Sequence, residues 1–256
     1  MKLFELGGRK ALVTGANAGI GQAIAVGLAE AGAHVLCAGR SPMDETMARI
    51  EAAGGTAGAC AMDLADPAAA AARLARAAAE LGGLDILVNN AGIIRRADAV
   101  DFTEADWDEV LDVNLKAMFF LSQAFGRAVL GRAVLGRGAR GKIINIASML
   151  SFQGGIRVAS YTASKSGVLG LTRLLACEWA AKGINVNAIA PGYIATANTE
   201  ALRADAARNQ AILDRIPADR WGEPSDLAGA AIFLASDAAS YVHGAALPVD
   251  GGWLAR

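Results

Sequence analysis

The sequence predicts one α/β domain, residues 1–256, built on a doubly wound parallel sheet of seven strands with helices on both faces. Three observations predict this fold class. Short β-rich runs alternate with longer helical stretches along the whole chain. Most of the short runs are continuously apolar, as expected of strands that are covered on both faces. No linker or shift in composition divides the chain.

The predicted elements alternate regularly from the first strand, KALVTG, to the last, ALPVDGG. The helix that begins with TEADWDEV has Thr103 as its predicted N-cap and acidic residues in its first turn. The predicted strands cover residues 10–15, 34–39, 58–63, 84–92, 141–148, 184–192 and 246–252. The predicted helices cover residues 19–31, 43–53, 67–81, 103–130, 161–182, 200–214 and 224–236.

The composition argues against several classes of function. With 24 basic and 25 acidic residues, the net charge of −1 gives no electrostatic support for binding nucleic acid or an anionic membrane. Three scattered cysteines favour a reduced, cytoplasmic protein without a disulfide framework. His34 and His243 lack neighbours that could complete a metal site. Neither a signal-peptide pattern nor an apolar run of transmembrane length is evident.

A five-residue tandem repeat, GRAVLGRAVL, occupies residues 126–135. Five additional residues advance a helix by about 7.5 Å and rotate its face by about 140°, so the apolar stripe loses register. We therefore predict a lengthened helix end or an exposed bulge at the repeat. Connections that enter the amino ends of strands lie opposite the ligand edge, so the repeat is expected away from the binding site.

A glycine-rich turn, VTGANAGIG, follows the first predicted strand and opens the first helix. Its glycines permit a tight turn and a close backbone approach, and the helix N-terminus offers N–H groups to a pyrophosphate. A plain glycine turn is the alternative, but the position at the first strand–helix junction of a βαβ array favours a dinucleotide site. The predicted contacts are Gly15, Asn17, Gly19, Ile20 and Gly21.

The end of the second strand distinguishes NAD from NADP. An acidic residue there holds the ribose 2′-hydroxyl of NAD, but this chain has Gly39 followed by Arg40. Arginine beside a missing acid favours the 2′-phosphate of NADP(H), unless Arg40 only flanks the adenine or faces solvent. Asp63 and Leu64, at the end of the third strand, are expected to border the adenine. The motif NNAG after the fourth strand offers further backbone and amide donors through Asn90, Ala91 and Gly92.

Two ionisable side chains, Tyr161 and Lys165, lie four residues apart, where a helix places them on one face. Ser148 ends the fifth strand at the same sheet edge. An ammonium about 4 Å from a phenol contributes roughly 4 kcal/mol at an effective dielectric of about 20, so the pKa of Tyr161 is expected to fall. Tyr161 then exchanges protons near neutral pH while Ser148 holds a substrate carbonyl. A polar pair four residues apart is common on helix surfaces, and a hydroxyl at a strand end is common as well. Only the convergence of these groups and the phosphate turn on one sheet edge indicates catalysis.

The motifs TGANAGIG, NNAG, YTASK and PGYIAT, with Ser148, resemble those of the short-chain dehydrogenase/reductase superfamily over nearly the whole chain. The resemblance implies a Rossmann-fold oxidoreductase that transfers a hydride to or from nicotinamide C4, with Tyr161 passing the proton. It implies a tetrad of Asn114, Ser148, Tyr161 and Lys165, in which Asn114 holds a helix kink and a relay water and Lys165 also binds the nicotinamide ribose. A buried asparagine bonded only to backbone is the alternative for Asn114. The nicotinamide is implied to lie against Pro191, Gly192, Ile194 and Thr196.

Longer segments, including NAGIIRRADA and RIPADRWGEPSDL, resemble a branch of this superfamily that acts on keto-deoxy sugar acids. This branch implies NAD(H), which disputes the preference drawn from Arg40, and cytoplasmic homotetramers that act in the breakdown of pectin-type uronic acids. Alternatives are a related reductase of another carbonyl compound, such as gluconate or a 3-oxoacyl thioester, and a non-catalytic nucleotide-sensing protein.

A sugar acid requires partners for its carboxylate and hydroxyls. Arg95, Gln153 and Arg157 are the candidates near the predicted mouth of the site, with plain surface solvation as the alternative for both arginines. Residues 193–215 are expected to form a lid that excludes water during turnover. Trp253 is expected to pack at a subunit interface.

Overall fold

Seven apolar runs pair into one parallel sheet, as predicted. The structure is a computed structural model that describes residues 2–134 and 140–256. The strands are β1 Lys10–Thr14, β2 His34–Gly39, β3 Thr56–Ala61, β4 Ile86–Asn89, β5 Gly141–Ile146, β6 Ile184–Pro191 and β7 Ala246–Val249. Their order is β3-β2-β1-β4-β5-β6-β7. The connections change direction between β1 and β4, and open α/β sheets bind ligands at such a point, outside the carboxyl ends of the strands.

Helices cover both faces of this sheet and bury an apolar layer against each. The helices are α1 Gly19–Glu30, α2 Asp44–Ala52, α3 Pro67–Glu80, α4 Glu104–Leu111, α5 Ala117–Val134, α6 Ala159–Trp179, α7 Glu200–Ala204, α8 Ala206–Leu213 and α9 Ala228–Ala235. On one face, α1 and α9 bury Ile24 and Leu234. On the other face, α3 and α5 bury Leu74 and Phe125. Apolar burial on both faces explains why the strands read as continuous apolar runs.

The predicted boundaries of the third strand are wrong. β3 begins at Thr56, two residues before the prediction, because the preceding turn is completed by Gly54, whose φ is +78°. Thr56 can then pair in register with His34. Asp63 and Leu64 therefore follow the strand instead of ending it, although they stay at the same sheet edge.

Two predicted helices are interrupted. The helix predicted over 103–130 contains a π-helical turn at Asp112–Lys116, in which the N–H of Ala117 bonds to the carbonyl of Asp112. The helix predicted over 200–214 breaks at Asp205, whose backbone is extended. The carboxylate of Asp205 accepts a hydrogen bond from the N–H of Arg208 at 3.0 Å, so it caps the second piece.

The tandem repeat lengthens α5. This helix continues to Val134, beyond the end predicted at residue 130. Arg132, inside the repeat, donates to the Asp85 carboxylate at 2.9 Å and to the Leu84 carbonyl at 2.7 Å. Because Asp85 directly precedes β4, this end of α5 lies at the amino edge of the sheet. The last residue of the repeat, Leu135, lies outside the described residues.

The C-terminal segment corrects the prediction for Trp253. Its side chain is 4% exposed within the single chain and packs with Met149, Ile212 and Ile216. The guanidinium of Arg215 lies 4.0 Å from the centre of its ring. Trp253 therefore joins the segment after β7 to the predicted lid, and its burial needs no second subunit. Across the described residues, no helix has both the length and the apolar character required to cross a membrane.

Candidate active site

A cavity of about 450 Å³ opens at the carboxyl edge of the sheet, where the connections change direction between β1 and β4. This volume lies in the range of sites that bind small molecules and cofactors. Every residue predicted to contact the cofactor lines it: Gly15, Asn17, Gly19, Ile20, Gly21, Arg40, Asp63, Leu64, Asn90, Ala91, Gly92, Tyr161, Lys165, Pro191, Gly192, Ile194 and Thr196. Their individual contacts with a cofactor stay predictions.

The glycine-rich turn after β1 is shaped for a close ligand. Gly15 and Gly19 have φ values of +65° and +56°, which favour glycine. A Cβ atom on Gly21 would lie 2.2 Å from the carbonyl oxygen of Gly15, so only glycine fits there. Ala18 begins α1 without a side-chain cap, so the first-turn N–H groups face outward. This cradle fits the pyrophosphate of a dinucleotide.

The far end of the cavity contains the residues that follow β2. Gly39, Arg40 and Ser41 line it, and none of them carries a carboxylate. The guanidinium of Arg40 lies 3.9 Å from the Asp63 carboxylate, and its side chain is 68% exposed. A cation and a hydroxyl at this place suit a phosphate better than a ribose hydroxyl.

The donors of the NNAG motif are used inside the protein. The Asn90 side chain donates to the Thr14 carbonyl at 2.9 Å. The backbone N–H groups of Asn90 and Ala91 donate to the Thr14 hydroxyl at 3.0 and 3.1 Å. Contacts of Asn90, Ala91 and Gly92 with a cofactor stay a prediction, but the donors on Asn90 and Ala91 already have partners in the protein. They dock the loop after β4 onto β1, which positions Gly92 and Ile93 beside the cavity.

Ser148, Tyr161 and Lys165 converge at the other end of the cavity. Ser148 follows the carboxyl end of β5, and Tyr161 lies in the first turn of α6. The Lys165 ammonium donates to the Ile146 carbonyl at 2.7 Å and lies 5.6 Å from the centre of the Tyr161 ring. Burial lowers the pKa of Lys165 to about 8.

The expected fall in the pKa of Tyr161 is not observed. Burial raises its pKa, and this effect exceeds the opposing effects of hydrogen bonding to Ser148 and of the charge on Arg96. Lys165 is not among the groups that shift the pKa of Tyr161. The phenol is therefore protonated at neutral pH, which makes Tyr161 ready to act as an acid.

Asn114 lies in the π-helical turn and joins three elements. Its side-chain oxygen accepts from the Ile93 N–H at 2.8 Å, and its amide donates to the Ile93 carbonyl at 2.9 Å. The amide also donates to the Ser164 hydroxyl on α6 at 3.3 Å. Asn114 thus fixes the loop after β4 against α6, in the turn before Lys165. It lines a second, smaller cavity together with Lys165.

The predicted substrate residues do not line the main cavity. Arg95 pairs with Glu109 at 2.7 Å and with Asp106 at 3.5 Å. Arg157 pairs with Asp98 at 3.1 Å, and its φ of +63° turns the chain there. Both guanidinium groups are engaged by carboxylates, and the role of the two arginines toward a substrate stays a prediction. Gln153 is half-buried outside the lining, and its role stays a prediction.

Arg96 lies beside the site, although no motif in the sequence predicted it. Its guanidinium donates to the carbonyl of Asn198, a residue that lines the cavity, at 3.1 Å. Its charge also acts on the Tyr161 phenol. Within the described part of the chain, no carboxylate pairs with Arg96. Adjacent side chains in an extended segment point to opposite sides, so the Arg95–Arg96 pair itself signalled that one of them faces the site.

The predicted lid borders the main cavity. Residues 196–199 line it, and Arg203 donates to the Thr196 carbonyl at 3.1 Å. The hydroxyl of Thr199 donates to the Ile194 carbonyl at 2.7 Å. Tyr193 packs on Trp253 with the ring centres 4.8 Å apart. These contacts tie the start of the segment 193–215 to the cavity wall.

Comparisons with known proteins agree with this geometry. The family profile described as Enoyl-(Acyl carrier protein) reductase matches residues 15–254. A 2-dehydro-3-deoxy-D-gluconate 5-dehydrogenase from Dickeya dadantii (strain 3937) is 56% identical over 256 residues, which are 100% of this chain and 99% of that protein. The protein of the same name from Escherichia coli (strain K12) is 55% identical with the same coverage.

The fold is also similar to solved structures. One, from Agrobacterium tumefaciens, is described as a candidate 2-deoxy-D-gluconate 3-dehydrogenase with bound NADP. It is 67% identical in sequence, with a TM-score of 0.94, and the match covers all of both chains.

Proposed function

The chain belongs to the short-chain dehydrogenase/reductase superfamily, and we propose that it interconverts a keto-deoxy sugar acid and the corresponding hydroxy acid with NAD(P)(H). The substrate pair is 2,5-diketo-3-deoxygluconate and 2-keto-3-deoxygluconate, or 2-deoxygluconate oxidised at C3. The observation that carries the proposal is the convergence of Ser148, Tyr161 and Lys165 on one end of a cofactor-sized cavity. Relatives more than 50% identical over the whole chain act on this class of substrate by their names.

The three side chains have distinct roles in this reaction. Bound nicotinamide supplies or accepts the hydride at C4. In reduction, Tyr161 donates its phenolic proton to the substrate oxygen, which gains the negative charge as the carbonyl carbon is reduced. Ser148 donates a hydrogen bond to the same oxygen and stabilises the developing alkoxide. Lys165 places a cation beside the phenolate that Tyr161 becomes.

The raised pKa of Tyr161 favours the reducing direction at neutral pH. A protonated phenol can donate at once, whereas oxidation of a hydroxyl requires the phenolate. The rate of oxidation should therefore rise with pH over a range in which the rate of reduction does not.

Arg96 is the proposed partner of the substrate carboxylate. It lies close enough to Tyr161 for its charge to act on the phenol, and its hydrogen bond to Asn198 directs it toward the lid. A carboxylate several bonds from the reacting carbonyl could be bound there while the carbonyl faces Ser148. Arginine suits this role because its planar fork binds carboxylates through two hydrogen bonds.

The proposed cofactor is NADP(H) in preference to NAD(H). Gly39 offers no acid for a 2′-hydroxyl, and Arg40 and Ser41 provide a cation and a hydroxyl at the cavity wall. The similar structure from Agrobacterium tumefaciens is described with bound NADP, which supports this preference.

The setting of the protein is proposed from its relatives' names and its composition. We propose that the enzyme acts in the breakdown of pectin-type uronic acids, because its relatives are named for a keto-deoxy sugar acid. We propose the cytoplasm as its compartment, because its three scattered cysteines suit a reducing environment. We also propose a homotetramer. The partly exposed apolar side chains Trp107, Phe120 and Leu174, on α4, α5 and α6, support contact between copies of the chain.

A steady-state assay of the purified protein tests the function. Reduction of a 5-keto-deoxyuronate is measured with NADPH and NADH, beside gluconate oxidation and a 3-oxoacyl thioester. We expect the highest kcat/KM with the keto-deoxy acid and NADPH. Activity confined to gluconate or the thioester would reassign the substrate, and cofactor binding without any turnover would identify a nucleotide sensor.

The arginine pair gives this assay a matched control. Arg96→Leu should raise KM for the sugar acid by about 10- to 100-fold, the range of a charged hydrogen bond of roughly 1.5–3 kcal/mol. Arg95→Leu removes the same charge from the neighbouring position, where Glu109 already engages it, and should change KM by less than about twofold. Equal effects of the two substitutions would exclude Arg96 as the carboxylate partner.

A further inference from the structure

An internal cavity of about 10 Å³ adjoins the catalytic end of the main cavity, since Lys165 lines both. A volume of roughly 10–15 Å³ holds one water molecule when two to four polar groups face it. The polar residues that line it are Thr14, Asn89, Asn114 and Lys165, and its apolar walls include Met118, Leu121 and Val168.

A buried hydrogen-bond network fixes the orientation of the Asn89 amide. The Thr172 hydroxyl donates to the Val168 carbonyl at 2.7 Å, so it must accept from the Asn145 amide at 2.9 Å. Asn145 therefore turns its side-chain oxygen toward Asn89, which donates to it at 2.9 Å. The second amide hydrogen of Asn89 goes to the Ser122 hydroxyl at 3.0 Å. No flipped arrangement satisfies this network, so the oxygen of Asn89 is the atom left over.

That oxygen has no protein partner in the described residues, although Asn89 is only 7% exposed. An unpaired buried carbonyl destabilises a fold by about 1–3 kcal/mol, so a ligand that donates to it is favoured. The Lys165 ammonium can supply a hydrogen bond to such a ligand. Its ammonium has three hydrogens, and the Ile146 carbonyl accepts one of them. A water molecule in the internal cavity can accept from Lys165 and donate to Asn89.

We propose that Asn89 is a positioning residue for proton transfer: its side-chain oxygen holds a water molecule against the Lys165 ammonium. The inference rests on the oxidoreductase activity proposed above. The network through Asn145 and Thr172 anchors Asn89 to α6, the helix that also carries Tyr161 and Lys165. The water therefore connects Lys165 to a rigid acceptor, so the ammonium stays beside the phenolate that must regain a proton after Tyr161 has protonated the substrate oxygen.

The test compares Asn89→Leu with Ser122→Ala. Leucine has the branched shape of asparagine but is larger and lacks polar atoms, so it excludes the water. Ser122→Ala removes one partner of the Asn89 amide and leaves its oxygen in place. For Asn89→Leu we expect kcat to fall by about 10- to 100-fold, at or below the lower limit of the contribution of a positioned proton donor, because Asn89 acts through Lys165. The solvent deuterium isotope effect on kcat should rise, because proton transfer becomes slower than hydride transfer. The KM for cofactor should not change.

Ser122→Ala should lower the melting temperature while leaving kcat and the isotope effect within about twofold of the wild type, as expected of a purely structural hydrogen bond. The same loss of kcat with an unchanged isotope effect in both variants would overturn the proposal. Should Asn89→Leu not fold, Asn89→Ala provides the same comparison. In addition, a crystal structure of the wild-type protein should show a water within about 3 Å of both Asn89 and Lys165. A dry cavity would overturn the inference even for an enzyme that reduces sugar acids as proposed.

Discussion

Two buried lysines lie near opposite ends of β5, one in the strand itself and one in α6. Lys142 is the second residue of β5, at the amino edge of the sheet, and Lys165 donates to Ile146, the last residue of β5, at the carboxyl edge. Both are less than a tenth exposed, both bond to a backbone carbonyl, and burial lowers the pKa of both to about 8.

The two lysines differ in their surroundings. Lys142 bonds to the Ala239 carbonyl and senses the charges of Asp237, Arg9 and Arg140. It lines neither of the two cavities described above. Lys165 borders both cavities and stands beside the Tyr161 phenol. A perturbed lysine pKa therefore does not identify a catalytic site by itself; the adjoining cavity and proton donor do.

The largest effect on turnover should come from the phenol of Tyr161, because no such group among the described residues stands beside Lys142 at the amino edge. Tyr161→Phe removes the phenolic hydroxyl and leaves the ring in place, so we expect kcat to fall by about 10²- to 10⁴-fold. Fluorescence titration of NADPH should give an unchanged Kd, because the ring still borders the cavity. Turnover near the wild-type rate would contradict the assigned role and remove the distinction between the two edges.

The lysines themselves provide the next comparison. Lys165→Met should lower kcat by about 10²-fold, within the range of acid–base catalysis, because the phenolate formed at Tyr161 loses its neighbouring cation. Lys142→Met should leave kcat within about twofold, since the substitution is remote from the cavity. Steady-state rates at pH 7 check both. A comparable loss in the two variants would mean that burial, and not position, sets the contribution of a lysine here.

Two exposed arginines extend the comparison to the cofactor. Arg40 lies 3.9 Å from Asp63 at the carboxyl edge, and Arg140 lies 3.8 Å from Asp237 at the amino edge. Arg40→Ala should raise KM for NADPH by about tenfold and leave KM for NADH unchanged, because a charged hydrogen bond to phosphate is worth roughly 1.5 kcal/mol. Arg140→Ala should affect neither. A strong preference of the wild-type protein for NADH would refute the role of Arg40.

Stability should show the smallest difference between the edges. A buried lysine whose folded-state pKa is about 8, below its ordinary 10.5, disfavours folding. The penalty is fully present below pH 8 and disappears as the pH rises toward 10.5, since the unfolded chain then also loses the proton. The difference between these two pKa values corresponds to about 3 kcal/mol of unfolding free energy at most. Both Lys→Met variants should therefore gain unfolding free energy at pH 7 and gain less at about pH 9.5, in urea titrations. A gain restricted to one variant would show that the two burial penalties differ.

The fold and the cofactor cavity were predictable from the sequence because each depends on local pattern. Continuous apolar runs specify covered strands, and glycines at a strand–helix junction specify the phosphate turn. The electrostatics of Tyr161 were not predictable, because the desolvation that raises its pKa depends on residues packed from distant parts of the chain. The proposed role of Arg96 was not predictable either, because only the structure shows that Glu109 and Asp106 form ion pairs with its neighbour Arg95.

The π-helical turn at Asp112–Lys116 restricts how the length of this protein can evolve. Loss of one residue there would restore ordinary α-helical bonding and leave α4 and α5 nearly in place, because a π-helical turn absorbs a single extra residue. Asn114, however, would lose its bonds to Ile93 and Ser164, which depend on the shape of this turn. Insertions and deletions in this turn should therefore abolish activity, whereas the far end of α5 contains a five-residue duplication.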